Sequence, residues 1–386
     1  MMTEKIKLKS KIIRFLVSVM LLAEVLSFGP NVWADETSEV YFEEPEVAMT
    51  PATTKKLKLI GAKSKVKWSS SNKKVADVNS SGKVTAKAKG TARITAVHNQ
   101  VEYYCDVVVS YGVYTTSDKM CYEDIKGNFG MTGRWFKKKI GGGKYYFTNA
   151  DGSAVYFKVT GSKFVNVNFA SNTSKGTPYF AYSVDGKSMK RSLISKKKIS
   201  VGNTRTHYVR LIIDATSEYE NRWGKEAGVA IKKIQPVSKN GVVTAVKPKN
   251  DVIAFYGDSI SKGVRTLNWG TPSGTSATHS YAWYCAKELN MVPYISGFGA
   301  SGIVQKGTAD RCYNVIKKFS ASRKADDFDA DFIVLEHGTN DVFTYGNIYV
   351  NEYKKVLELL HKKHPKAKIM AMIPLNQIHA DEIRSA

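Results

Sequence analysis

The chain is poor in cysteine, proline and acidic residues. Of 386 residues, four are cysteine and ten are proline, and 58 lysines and arginines outweigh 34 aspartates and glutamates. Cys105, Cys121, Cys285 and Cys312 form no C-x-x-C pair and no zinc-like spacing, which excludes a dithiol redox motif and a structural zinc site. All four stand beside apolar or aromatic residues, so one or two disulfides and buried free thiols both stay open. Beyond the first 34 residues no stretch is long and apolar enough to cross a bilayer. No cluster has metal-ligand spacing, and the sequence asks for no cofactor. Gly141-Gly142-Gly143 lacks a following Gly-Lys-Ser/Thr and reads as a flexible turn, not a phosphate loop. Nucleic-acid-binding motifs are missing as well.

What is there begins with a leader over residues 1–34. Lys5, Lys7, Lys9, Lys11 and Arg14 form a basic start, Phe15 to Phe28 an apolar run, and Val32-Trp33-Ala34 a cleavage-type end. This pattern predicts a secreted or cell-surface protein with no membrane span after cleavage. The leader carries +3 of the formal +24, leaving about +21 on the mature chain. Such an excess calls for an anionic partner. The lysines are scattered, with short runs only at Lys137-Lys138-Lys139 and Lys196-Lys197-Lys198. For an exported protein, an anionic cell wall or polysaccharide fits better than nucleic acid.

Residues 35–50 hold Glu43, Glu44, Pro45 and Glu46 and read as a linker. Residues 51–110 alternate with period two: Val66-Lys67-Trp68, Val75 to Val78, Lys83 to Ala86, Ala92 to Val97 and Val101 to Val109. Ser80-Ser81-Gly82 and Gly90 mark turns, so a small all-β sandwich is expected. The stretch from Trp68-Ser69-Ser70-Ser71-Asn72 through Gly82-Lys83-Val84-Thr85-Ala86 to the strand Ala92 to Ala96 resembles the group two bacterial immunoglobulin-like domain. That resemblance implies a surface or secreted protein with an adhesive or spacer role, and no catalysis.

Residues 117–236 form a second β block without helical periodicity, with hairpin signals at Asp151-Gly152 and Asp185-Gly186. A jelly roll or sandwich is expected. Residues 250–386 then alternate strands and helices. Strands at Val252 to Tyr256, Tyr294-Ile295, Phe332 to Leu335 and Ile369 to Ile373 are separated by helices at Tyr281 to Leu289, Ala309 to Phe319 and Asn351 to Lys363. This predicts a parallel sheet with covering helices. The fold class is thus multidomain: an Ig-like sandwich, a jelly-roll module, and an α/β domain.

Three strand ends deliver polar loops: Gly257-Asp258-Ser259, then Ser296 to Gly302, then Gly338-Thr339-Asn340-Asp341. Ligands bind beyond the carboxyl ends of parallel strands. Ester hydrolysis needs a nucleophile and donors for an oxyanion. A serine, a glycine amide and an asparagine amide supply these. The order G-D-S-I, G-x-G-x-S-G, G-T-N-D resembles the SGNH (GDSL-like) hydrolases over residues 251–374. The resemblance implies Ser259 as nucleophile, its own amide in the oxyanion hole, Gly302 as the glycine donor with Gly299 as the alternative register, and Asn340 as the amide donor. Asp258 and Asp341 take structural roles. The preceding Gly133-Arg134-Trp135, the strand Tyr182-Ser183-Val184-Asp185-Gly186 and Thr206-His207-Tyr208-Val209-Arg210-Leu211 are similar to carbohydrate esterase family two, a jelly roll fused to an SGNH domain. That family implies removal of acetyl groups from polysaccharide such as xylan.

One part is missing. The superfamily base is a histidine in a late D-x-x-H, and Asp381-Glu382-Ile383-Arg384 has arginine in that place. His98, His207, His279, His337, His361, His364 and His379 fall outside the required position. The resemblance therefore predicts a domain incomplete at its C-terminus, with the base beyond Ala386. Two other readings stay open. One is a surface adhesin or polysaccharide-binding protein with a degenerate hydrolase. The other is a lipase of the same superfamily, against which the loop Asn268 to Thr278 is polar and small.

Overall fold

The computed structural model describes residues 40–110, 120–127 and 129–386. The leader at residues 1–34 and residues 35–39 of the linker lie outside the described residues.

The first unit is an Ig-like sandwich. Along Lys83–Ala86, Val84 and Ala86 are buried and Lys83 is exposed, the alternation of a half-buried strand. A four-stranded sheet runs in the order Glu46–Met49, Val101–Val109, Gly90–His98, Lys67–Ser70. It faces the three-stranded sheet Thr54–Lys56, Lys83–Ala86, Ala76–Val78 across a core of Val47, Leu57, Val84, Ile94 and Val107. Residues 41–42 and 46–49 are therefore strands and not linker: Phe42, Val47 and Met49 enter the core, and Glu46–Met49 runs parallel to Val101–Val109. The acidic residues just before it hide this short alternation. Gly82 explains its turn, because its φ is +78° and an added Cβ would lie 2.6 Å from the Trp68 ring.

The second unit is an antiparallel two-sheet module. The larger sheet runs Tyr122–Asp124, Val242–Pro248, Ala154–Thr160, His207–Ala215, Tyr179–Val184, Lys190–Leu193. The smaller runs Phe136–Ile140, Gly143–Thr148, Val229–Pro236, Phe164–Ser171, Lys198–Ser200. Val155, Phe157, Phe180, Leu211, Val167 and Ile231 fill the space between them. The module extends past the expected boundary at 236, since Val242–Pro248 pairs with Ala154–Thr160. Gly141 and Gly142 form the tight hairpin turn between Phe136–Ile140 and Gly143–Thr148.

From Val252 the strands become parallel, in the order Val292–Gly297, Val252–Gly257, Phe332–Glu336, Lys368–Met372. Ile253, Ala254, Phe255 and Tyr256 are all buried, as an unbroken apolar run in a covered parallel sheet must be. Helices Tyr281–Glu288 and Gly346–Lys363 cover the sheet, the first capped by Ser280, whose side chain accepts from the Trp283 amide. The helix expected over 309–319 is shorter, Cys312–Lys317. Lys318–Ser320 leaves it as a strand, and Phe319 stacks on Phe136 of the module at 5.8 Å between ring centres. Burial of that ring outweighs continuation of the helix.

All four cysteines are free thiols, and burial pushes Cys105 up to about 12 and Cys285 up to about 11. Among the described residues no helix is long and apolar enough to cross a membrane.

Candidate active site

The strand Val252–Gly257 ends where the chain must turn sharply. A Cβ on Gly257 would lie 2.0 Å from Ser261 Oγ, so only glycine fits. Asp258 Oδ1 accepts from the Ile260 amide at 2.8 Å and caps the single-turn helix Ser259–Lys262. Ser259 stands half-buried at its first position, and among the described residues nothing hydrogen-bonds its Oγ. The third strand end brings Asn340 alongside. Its Nδ2 donates to Asp258 Oδ2 at 3.1 Å and to the Ser301 carbonyl at 3.0 Å. Asp341 accepts from the amides of Ile303, Val304 and Gln305 at 2.9, 2.8 and 2.8 Å. The two aspartates tie three loops into one platform.

Gly302 does not join that platform's open face. Its amide donates to the Gln305 carbonyl at 2.9 Å, and an added Cβ would lie 2.2 Å from Asp341 Oδ2. Asp341 draws residues 303–305 inward for its three amide bonds, and Gly302 goes with them. Gly299, the alternative register, and Ala300, held left-handed at φ 57°, face outward instead. Among the described residues their amides find no acceptor.

Ser259, Asn340, Gly299 and Ala300 line one cavity of about 790 Å³. Its opposite wall is Tyr219 and Trp223, from the module segment between His207–Ala215 and Val229–Pro236. This wall was not legible as part of a site in the sequence, although Glu218-Tyr219-Glu220-Asn221-Arg222-Trp223 interrupts the β alternation with aromatic and charged residues. Buried bonds fix it. Arg222 donates to the Asn149 and Ser217 carbonyls at 2.9 Å each, and Glu220 accepts from the Ser174 and Lys175 amides at 2.7 Å each.

Residues 40–107 match the family described as bacterial Ig-like domain (group 2). No curated protein sequence matches the chain. Among solved structures, an acetyl xylan esterase (Est2A) from the rumen bacterium Butyrivibrio proteoclasticus is similar, with 18% identity over 69% of this chain and 86% of its own, at a TM-score of 0.54. A family two carbohydrate esterase from Cellvibrio japonicus aligns with 16% identity over 69% of this chain and 84% of its own, at 0.53. One from Clostridium thermocellum, in complex with cellohexaose, aligns with 20% identity over 62% of this chain and 75% of its own, at 0.50. The chain shares the fold of the family two carbohydrate esterases.

Within this family two fold the Ser259 turn is pinned from below. Lys262 Nζ donates to the Thr216 and Ser217 carbonyls of the module at 3.1 and 3.3 Å and lies 3.5 Å from Asp151. Burial, with Arg222 beside it, pushes Lys262 down to about 8. Ser261 Oγ donates to Glu336 Oε2 at 3.1 Å and meets Tyr281 Oη at 2.9 Å. Burial first, then the charge of Asp258, pushes Glu336 up to about 8, and burial also raises Asp258. All seven histidines lie in the described residues, and none lines the Ser259 cavity. Burial pushes His337 down to about 4, so its imidazole is neutral at pH 7. His379 stacks on Tyr349 with ring centres 3.9 Å apart and its Nε2 meets the Asp341 carbonyl at 3.0 Å. Among the described residues no group of three His, Cys, Asp or Glu side chains is placed to hold a metal.

Proposed function

We propose that the protein is a secreted serine esterase of the SGNH type that removes acetyl groups from polysaccharide, through an acyl-enzyme on Ser259. One observation carries this reading: Ser259, two amides without acceptors and Asn340 share a cavity at the carboxyl ends of parallel strands. Ser259 Oγ attacks the ester carbonyl carbon while a general base takes its proton. The oxyanion receives the amide hydrogens of Ser259 and of Gly299 or Ala300. Asn340 adds a third donor when its amide turns from the Ser301 carbonyl. The sugar alcohol leaves with a proton, and water then frees acetate from Ser259. Tyr219 and Trp223 offer ring faces to a sugar across the cavity. The fold shared with an acetyl xylan esterase and with a cellohexaose-bound esterase supports plant polysaccharide as the substrate class. The leader pattern and the Ig-like domain support export.

A second reading is a surface polysaccharide-binding protein with the same cavity and no turnover. It is favoured by the absence of any of the seven histidines from that cavity. A fluorophosphonate probe and acetate release from acetylated xylan separate the two. Labelling and release that vanish together in Ser259→Ala support the esterase. Xylan binding without labelling or release supports the binding protein.

A further inference from the structure

We propose that the module carries a second ligand site, on the outer face of its larger sheet, where Arg210 holds the carboxylate of an acidic sugar. Arg210 lies on the strand His207–Ala215, between Val209 and Leu211. Those two enter the module core, so alternation turns Arg210 to the opposite face. There it is only 6% exposed, with its guanidinium 4.8 Å over the Trp283 ring. Two other buried arginines at the domain junction, Arg134 and Arg222, each have carbonyl acceptors. Arg210 has no hydrogen-bond acceptor among the described residues. Its donors face a cavity of about 330 Å³. None of its nitrogens is among the fully buried polar atoms left without a partner, so its donors stay open to this cavity, and the planar fork matches a carboxylate with two parallel bonds.

The remaining walls fit a sugar. Tyr122 and Tyr208 stack with ring centres 5.0 Å apart and 8° between planes, giving an aromatic surface at the cavity. Two other polar side chains of the lining, Ser183 and Asp185, are already engaged. Ser183 Oγ donates to the Lys187 carbonyl at 2.5 Å. Asp185 accepts from the Tyr208 amide at 2.9 Å and faces His207 Nδ1 at 2.7 Å. Asp185 is turned to His207 and the Tyr208 amide, which leaves Arg210 as the charged side chain of the lining with open donors. The volume falls at the small end of ligand pockets, about 300–1,000 Å³. The module adds long-range attraction, since residues 121–250 hold 24 lysines and arginines against 8 aspartates and glutamates. Together these features select a uronic-acid unit on an oligosaccharide. No residue lining this cavity lines the Ser259 cavity, so the site stands whether or not Ser259 turns over ester.

The test is calorimetry on the whole chain with two probes, a xylo-oligosaccharide bearing glucuronic acid and the same oligosaccharide without it. Ser259→Ala protein keeps the Ser259 cavity from turning over either probe. The acidic probe should bind at least about tenfold tighter, the worth of one charge-assisted contact. Arg210→Met keeps the stem against Trp283 and should weaken the acidic probe about 10- to 100-fold, leaving the neutral one unchanged. Arg210→Lys keeps the charge without the fork and should recover only part. Equal binding of the two probes, or acidic binding unchanged in both Arg210 variants, overturns the proposal. Should Arg210→Met not fold, the lysine variant and the two-probe comparison still decide it.

Discussion

The two β units meet the parallel-sheet domain in opposite ways. The Ig-like unit reaches it through Lys89, which pairs with Asp331 and, at 3.0 Å, with Asp251, and through Ser110, which hydrogen-bonds Asp251. The Lys89 side chain is 50% exposed, so water screens its side of the pair although Asp251 is buried. The two-sheet module instead buries charge. Arg134 donates to the carbonyls of Val315 and Lys318 at 3.0 and 2.7 Å and lies between the rings of Phe298 and Phe319. Asp214 accepts from Ser276 Oγ, the Thr278 amide and Thr278 Oγ1 at 3.0, 2.9 and 2.8 Å. Lys262 completes the set from the other side. The module is a wall of the Ser259 cavity, and the Ig-like unit is a neighbour of it.

Substitutions can break or sharpen this contrast. The largest effect is expected at Arg134→Ala, which strips donors from two buried carbonyls and should cost on the order of 3–5 kcal/mol in denaturant unfolding. A loss under about 1 kcal/mol would reduce the module to a tethered neighbour as well. Next comes Glu336, whose carboxyl is pushed from 4.5 in its ordinary state up to about 8 in the fold. A raised carboxyl favours the fold at low pH, and that contribution is lost as pH climbs from about 4.5 to 8. Glu336→Gln should therefore raise Tm more at pH 9 than at pH 5, and an equal rise at both would refute the assignment. In the Ig-like unit, Gly82→Ala forces a Cβ against Trp68 and should cost about 1–3 kcal/mol there. Release of acetate from xylan should not change, because nothing of that unit lines the cavity. The smallest effect belongs to Lys89→Ala, under about 1 kcal/mol and weaker still in high salt.

Much of this was legible in the sequence because it rests on local rules. An unbroken apolar run ending at Gly-Asp-Ser placed Ser259 at a strand end, and the same logic placed Asn340. Trp68 and Gly82 marked the Ig-like unit because the ring occupies the space a side chain would need. What escaped depends on contacts between distant residues. Gly302 and Gly299 are interchangeable on paper, and only the three amides gathered by Asp341 decide which one faces the cavity. Tyr219 and Trp223 are wall residues only because Arg222 and Glu220 fix their loop from within another domain. The helix ending at Lys317 stops short because Phe319 finds a ring to stack on.

The short strand Glu46–Met49 has one more consequence. Preceded in the sandwich by the two-residue strand Tyr41–Phe42, it runs parallel to Val101–Val109, the strand by which the chain leaves. Tension along the chain therefore pulls these two strands past each other in opposite directions. All the rungs between them are loaded together, in shear, instead of parting one after another as in a peeled hairpin. A unit wired in this way resists stretching between its entry and its exit.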